Sequence, residues 1–382
     1  FIFLQNLVSQ IVYFFLNIVK KMGINIYITN IEASRIGHLL NNIDQSIYYL
    51  NQKKISYILL IGLVGKVSNN FILSQWKKNK KIYFLNFFAT KIVQFIFFNK
   101  KLKKFILGWD IIQPSFTKIS SSKINFYIDK EINLTKEEID ILKGQFICLN
   151  NRDNKYTKDV VIDYNYLEYK NFSFEDFIST IIEIKKNNQT PIRIGNYVEK
   201  KYDNKKINFL DMSGEKSKDY MDILLQYYSK FTIIGLTGLS AVSAVLRKPI
   251  LYINHTPFTL DQLSYAPQSS MIMPKLFFSK KEKRILKFSE MFKINFDLHQ
   301  LENFLYKNDL EVIDNTKNEI LDAYKEMNNF IDCGYHDEEN YELNKKFFNL
   351  FQNKEKSDFL LNKNQLRIPT FFLKKNIDLW HE

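Results

Sequence analysis

Residues 231–257 read FTIIGLTGLSAVSAVLRKPILYINHTP, and the order of residue types in this stretch decides the fold. The apolar run 231–235 is rich in β-branched residues and ends at a glycine, which predicts a short buried strand. Residues 236–238 (Leu-Thr-Gly) predict a turn, residues 239–247 a helix of small side chains, and residues 249–254 a second buried strand. Strand, turn, helix and strand in this order form a βαβ unit of a parallel sheet.

The turn of this βαβ unit is a candidate phosphate site. A strand that leads through a Gly/Thr/Ser turn into a helix collects unpaired backbone N–H groups and the positive end of the helix dipole at one place. Thr237, Gly238 and Ser240 lie there, and the small side chains of the helix let a ligand approach the backbone. The alternative is an ordinary βαβ unit with a tight turn.

Regular alternation of strands and helices begins near residue 144, with strands predicted at 145–149, 191–195 and 207–210. A doubly wound α/β domain follows, whose ligands bind beyond the carboxyl ends of the strands. Guanidinium groups, a lysine and a helix N-terminus at that edge suit a nucleotide diphosphate. The polar residues at these strand ends are Arg152 and Asp153 after the first, Arg193 at the second, and Ser213, Glu215 and Lys216 after the third.

Length, composition and charge limit the possible functions. A chain of 382 residues with 46% hydrophobic and 15% aromatic residues suits two globular domains. The formal net charge of +13 favours anionic partners, namely nucleic acid, an anionic membrane surface or phosphorylated small molecules. No nucleic-acid motif is present, so we predict no nucleic-acid partner. Cys148 and Cys333 are far apart, which gives neither a metal-ligand spacing nor a disulfide framework and fits a reducing cytoplasm.

The N-terminal segment 1–22 predicts an amphipathic helix that ends on Lys20 and Lys21. Such a helix suits the surface of a membrane better than a span across it, and no secretory signal pattern is present. Phenylalanines and flanking lysines at 90–105 suit the same surface. The alternative for both segments is a helix packed on its own domain. The apolar residues of the N-terminal stripe are Leu4, Leu7, Val8, Ile11, Phe14, Phe15 and Ile18.

Several blocks of the sequence resemble a family of bacterial glycosyltransferases found with surface-polysaccharide synthesis. The most specific are Ser-Arg-Ile-Gly-His-Leu at 34–39 and the stretch from Gly-Leu-Thr-Gly-Leu-Ser to Asn-His-Thr-Pro-Phe at 235–258. One departure is visible, since the family pattern has a His ahead of Arg152 where this chain has Asn150 and Asn151. The resemblance spans nearly the whole chain, and its other blocks are 148–153 with Tyr156, 191–195, 213–222 and 366–380.

This resemblance implies a GT-B-like α/β fold of two Rossmann-like doubly wound domains and a C-terminal helical tail. It also implies transfer of a sugar from a nucleotide-diphosphate donor to a glycan or lipid-linked acceptor in O-antigen or capsule synthesis. No cofactor and no metal are expected, because basic side chains and a helix dipole neutralise the leaving diphosphate. The alternative is a catalytically inactive carbohydrate- or nucleotide-binding scaffold of the same fold. A Rossmann oxidoreductase would need a G-x-G-x-x-G run, which the sequence lacks.

The resemblance further implies roles for individual residues. His38 is the first candidate for the base that takes the acceptor hydroxyl proton, Asp153 is the second, and Arg35 would steer the acceptor or the diphosphate. A structural histidine is the alternative for His38. The donor site would comprise Arg152, Arg193, Ser213, Glu215, Lys216, Thr237, Gly238 and Ser240.

We therefore predict four segments of the chain, with a polar linker at 111–138. We expect the protein in the cytoplasm, peripheral to the inner face of the cytoplasmic membrane. The segments are an amphipathic helix at 1–22, an acceptor domain at 23–140, a nucleotide-sugar-binding domain at 141–335 and a helical tail at 336–382.

Overall fold

The protein forms two compact units, Phe1–Ile132 and Asn133–Glu382. The predicted boundary after residue 140 falls inside the helix Lys136–Lys143 of the second unit. Thr135 and Glu138 start this helix with a capping box, a T-x-x-E signal that the linker prediction overlooked. The computed structural model describes residues 2–112, 122–129, 132–155, 169–202, 208–214, 218–256, 258–294, 301–334, 338–363 and 365–380.

The N-terminal unit is built on a parallel sheet of β1 (Asn25–Glu32), β2 (Tyr57–Val64) and β3 (Ile82–Phe84), in that order. A short segment around Ile106 pairs with Ile28 on the other edge of β1. The chain therefore winds outward from β1 in one direction and returns to the opposite edge, which is the doubly wound pattern.

In the described residues of this unit, helices accompany the sheet. The N-terminal helix and the fourth helix share an apolar cluster with β1 that includes Leu16, Ile28 and Val93. Asn69 and Asn86 cap two of the helices, since their side chains accept bonds from backbone N–H groups of the first turn. The helices are α1 (Ile2–Lys21), α2 (Ile36–Gln52), α3 (Asn70–Lys77), α4 (Phe87–Ile96) and α5 (Trp109–Ile112).

The C-terminal unit contains a six-stranded, all-parallel sheet with the strand order β6-β5-β4-β7-β8-β9. Its central strands are fully buried, as expected for a sheet covered by helices on both faces. The strands are β4 (Phe146–Asn150), β5 (Thr190–Arg193), β6 (Leu210–Asp211), β7 (Thr232–Ile234), β8 (Ile250–His255) and β9 (Met271–Pro274).

Helices join these strands and then form the C-terminal part of the unit. Thr316 and Glu319 begin the longest of them with a second capping box. The helices are α6 (Lys136–Lys143), α7 (Ile178–Lys186), α8 (Met221–Tyr228), α9 (Ser240–Val245), α10 (Leu260–Leu263), α11 (Phe288–Lys293), α12 (Leu301–Lys307), α13 (Lys317–Cys333), α14 (Glu338–Phe348), α15 (Lys354–Asp358) and α16 (Thr370–Lys375).

The C-terminal unit also contains a small antiparallel sheet that was not predicted from the sequence. It consists of β10 (Leu276–Ser279), β11 (Arg284–Ile285) and β12 (Leu310–Ile313) in the order β11-β10-β12. The C-terminal helices pack into the main core, where Phe347, Phe348 and Leu373 are buried. The predicted α/β class, with two Rossmann-like doubly wound units and C-terminal helices, is confirmed.

Candidate functional site

The strand order of the C-terminal unit reverses between β4 and β7, and the region beyond the carboxyl ends of these two strands is called the crevice below. From β4 the chain adds β5 and β6 on one side, and then crosses to add β7, β8 and β9 on the other. In doubly wound sheets, nucleotides bind at this reversal, beyond the carboxyl ends of the two strands that flank it. The segments that leave β4 and β7 at this point begin at Asn151 and Gly235.

Phe172 joins these two segments. Its backbone N–H donates to the main-chain oxygen of Arg152 at 3.1 Å, and its carbonyl accepts from the amide of Asn151 at 3.1 Å. A Cβ added to Gly235 would lie 2.8 Å from the Phe172 ring, so only glycine leaves room for that ring after β7. The loop after β4 is therefore bonded to the backbone of Phe172, and the turn after β7 lies against its ring.

Asn150 and Asn151, which stand where the resembling family has a His, are structural anchors. The side-chain amide of Asn150 donates to the Ile194 carbonyl at 2.8 Å. Gly195 has φ of +114°, and a Cβ there would lie 2.6 Å from Asn150 Nδ2. Both asparagines are almost fully buried. They hold the loop after β4 against the end of β5.

Arg152 and Asp153 follow Asn151 in the loop after β4 and lie at the crevice. Arg152 is 8% exposed at the carboxyl end of β4. Both carboxylate oxygens of Asp153 accept backbone bonds, from Lys155 at 3.1 Å and from Glu199 at 2.8 Å. Asp153 therefore connects the loop after β4 to the loop after β5, and its role as a base stays a prediction.

Arg193, a predicted donor ligand, lies inside the protein and not at the surface of the crevice. The residue is 1% exposed, with its guanidinium 4.2 Å from the Phe174 ring centroid. Its Nη1 donates to the Lys200 carbonyl at 2.8 Å and lies 3.7 Å from Asp211 Oδ2, and its Nη2 donates to Asn151 at 3.3 Å. Arg193 is therefore placed to position the loops that surround the crevice.

The loop after β6 supplies Ser213 from the predicted donor set. Its hydroxyl and its backbone N–H both donate to Asp211 Oδ1, at 2.5 and 3.0 Å. The Gly214 N–H donates to the Gly195 carbonyl at 2.8 Å, so the loops after β5 and β6 are joined. Glu215 and Lys216 lie outside the described residues, as does Tyr156.

The turn and helix after β7 differ from their prediction in two respects. The helix is shorter than predicted, running from Ser240 to Val245, and its first N–H groups are not unpaired. The N–H of Ser240 donates to the Thr237 carbonyl and that of Ala241 to Gly238, both at 3.2 Å. The tight turn itself satisfies these donors. The Thr237 hydroxyl oxygen, in contrast, is buried without a hydrogen-bond partner among the described residues, and Gly238 is exposed.

Two titratable residues of this edge were not predicted as site residues. Asp222 on α8 is buried and accepts the Gly195 N–H at 3.3 Å, and burial raises its pKa to about 6. His255 ends β8 with 1% exposure, and burial lowers its pKa to about 3, so its ring is neutral at pH 7. A charged residue within the apolar sequence Met-Asp-Ile-Leu-Leu was the available signal for Asp222.

In the N-terminal unit, Arg35 and His38 follow β1. Arg35 is the N-cap residue of α2 with an extended backbone, although its side chain makes no capping bond. His38 lies in the first turn of α2 and is half-buried. The strand-to-helix junction thus places both residues beyond the carboxyl end of β1, and their roles stay predictions.

Among the described residues, no group of three or more His, Cys, Asp or Glu side chains could hold a metal ion. No family model and no curated protein matches the sequence.

Several solved glycosyltransferase structures are loosely similar to this chain. A family 9 glycosyltransferase from Veillonella parvula is 8% identical with a TM-score of 0.48, over 79% of this chain and 97% of that one. The heptosyltransferase II of Escherichia coli is 11% identical with a TM-score of 0.41, over 74% and 99%. The glycosyltransferase TibC from enterotoxigenic E. coli is 12% identical with a TM-score of 0.37, over 60% of this chain and only 58% of TibC. Identities and TM-scores this low do not identify site residues, so the site is defined by this chain's own strands and side chains.

Proposed function

We propose that the protein is a metal-independent GT-B glycosyltransferase, which moves a sugar from a nucleotide-diphosphate donor to a glycan or lipid-linked acceptor in bacterial surface-polysaccharide synthesis. The single observation that carries this proposal is the crevice between β4 and β7. There Arg152 follows β4, and Thr237, whose hydroxyl has no hydrogen-bond partner among the described residues, follows β7. The resemblance of the 34–39 and 235–258 blocks to glycosyltransferases of polysaccharide synthesis supports the same function.

The proposed reaction breaks the bond between the anomeric carbon of the sugar and the diphosphate oxygen. The diphosphate leaves with the bonding electron pair, and the Arg152 guanidinium would stabilise the negative charge that develops on it. The Thr237 hydroxyl would donate to the same group. The acceptor hydroxyl forms the new bond to the anomeric carbon, and its proton passes to the base. His38 is the proposed base, because an imidazole has its ordinary pKa near working pH.

A thermal-shift screen against nucleoside diphosphates and nucleotide sugars tests the donor site. At about a hundredfold excess over Kd, a ligand that binds only the native state should raise the melting temperature by about 5 °C. Thr237→Val should abolish the shift. Thr180→Val is the matched control and should retain the shift. The Thr180 hydroxyl is also buried without a partner among the described residues, but it lies on α7.

No shift with any nucleotide in the wild-type protein would contradict the proposal. A shift that both threonine variants keep would place the ligand elsewhere. Binding without release of nucleoside diphosphate in the presence of envelope glycans or lipid-linked acceptors would favour the inactive scaffold.

A further inference from the structure

The N-terminal helix α1 presents its apolar side to solvent. Leu4, Leu7, Ile11, Phe14, Phe15 and Ile18 form a stripe at helical spacing, and each is between 42% and 69% exposed. A helix that only packs on its own domain buries such a stripe. Here Ser9 and Leu16 are the buried residues of α1. The apolar stripe therefore has no cover among the described residues.

Polar side chains attach the other side of α1 to the unit. The Gln5 amide donates to the Phe95 carbonyl at 2.6 Å, and the Asn99 amide donates to Asn6 at 3.2 Å. At the far end of the helix, the Lys104 ammonium donates to Asn17 at 2.8 Å. These contacts span the length of the helix and fix which side faces outward. The outward position of the apolar stripe is thus built into the unit.

Three further phenylalanines extend the exposed apolar surface. Phe87 and Phe88 begin α4, which packs beside α1, and are 79% and 74% exposed. Phe98 follows the end of α4 and is 88% exposed. Together with the apolar stripe they exceed the scattered apolar residues of an ordinary monomer surface, so the patch indicates an interaction site.

The whole net charge of the chain lies in the unit that carries this patch. Residues 1–132 contain 18 Lys and Arg against five Asp and Glu, which gives +13, whereas residues 133–382 contain 36 of each. Between residues 1 and 109 the only acids are Glu32 and Asp44, and Asp44 is buried. Exposed lysines border the patch at the end of α1 and after α4, namely Lys20, Lys21, Lys100, Lys101, Lys103 and Lys104.

We propose that this face docks on an anionic lipid bilayer, with α1 lying in the interfacial plane and the apolar stripe among the acyl chains. Phosphate headgroups complement the bordering lysines. A second copy of the chain is a poorer occupant, because pairing two such faces would bring lysines together, and the described residues of the patch and its border include no carboxylate to neutralise them. By length and composition α1 could cross a membrane, but its polar contacts hold it flat against the unit. This inference does not depend on the proposed glycosyl transfer.

Co-sedimentation of the full chain with phosphatidylcholine vesicles, with and without phosphatidylglycerol, tests the docking. We expect binding to the anionic vesicles that weakens with salt. The double variant Phe14→Ser/Phe15→Ser should weaken binding about a hundredfold, because two large apolar side chains no longer enter the bilayer. Tyr306→Ser, at an 88% exposed position of the C-terminal unit, is the matched control and should change nothing.

The charge contribution is tested in the same assay. Lys100→Gln/Lys101→Gln should weaken binding about 30-fold, and Lys280→Gln/Lys281→Gln, at the surface of the C-terminal unit, should not. Equal binding to neutral vesicles, or a Phe14→Ser/Phe15→Ser variant that binds like wild type, would overturn the proposal. So would a lipid-free dimer that this variant dissociates, since a second copy would then cover the patch. Retention in the membrane after alkaline carbonate washing would indicate a span and would contradict the interfacial position.

Discussion

Arg193→Met is expected to lower the free energy of unfolding by about 3–5 kcal/mol. The variant would leave the Asp211 carboxylate buried without its cation, and the Lys200 carbonyl and Asn151 side chain without their donor. Breaking a buried ion pair by removal of one partner costs this much because the remaining charge cannot be solvated. Chemical denaturation of the purified protein, followed by far-UV circular dichroism, measures the change.

The double variant Arg193→Met/Asp211→Asn is the control for this explanation. It removes both charges, so we expect it to recover part of the stability that the single variant loses. A single variant that costs less than about 1 kcal/mol would contradict the buried ion pair. Loss of ligand binding in an Arg193 variant would therefore report on the fold, and Thr237 is the more direct probe of the crevice.

Asp222→Asn is expected to stabilise the protein at neutral pH. Burial raises the pKa of Asp222 to about 6 from an ordinary 3.8, so the native state holds a proton over a range where the unfolded state has lost it. The wild-type free energy of unfolding should therefore fall as pH rises from about 4 to 6, by about 3 kcal/mol in total. The asparagine variant keeps an oxygen that accepts the Gly195 N–H but does not titrate, so it avoids this loss.

Urea unfolding at several pH values measures the difference between the two proteins. We expect the difference in free energy of unfolding to shift in favour of the variant between pH 4 and 6 and to stay constant above pH 6. Asp322→Asn removes the same charge at an exposed position of α13 and is the control. A difference that does not change with pH would show that Asp222 is ionised in the native protein as readily as in the unfolded chain.

Local sequence patterns were sufficient to predict the βαβ unit at residues 231–257. Its strands and helix are Thr232–Ile234, Ser240–Val245 and Ile250–His255, each within about two residues of the prediction. The strands and the helix of this unit depend on residue types within the segment itself, namely β-branched runs bounded by glycine and a helix of small residues. The order of polar residues after successive strands also predicted that Arg152, Ser213 and Thr237 follow the carboxyl ends of parallel strands.

The orientation of individual side chains depended on contacts that are distant in sequence. Arg193 was assigned to the donor because arginine suits phosphate, but Phe174, Asp211 and Lys200 enclose it. The helix donors of the turn are satisfied by carbonyls of the same turn, which depends on its detailed backbone geometry. Likewise, the periodicity of α1 revealed an apolar side without showing that this side faces outward.

Hydrogen-exchange mass spectrometry with and without a nucleoside diphosphate most directly tests whether the crevice between β4 and β7 holds the donor. We expect slower amide exchange on ligand binding in peptides that cover residues 148–155 and 234–242, because those segments border the crevice. The Thr237→Val variant should lose this protection, and Thr180→Val should keep it. Protection confined to other peptides, in a protein that binds the nucleotide, would contradict donor binding in this crevice.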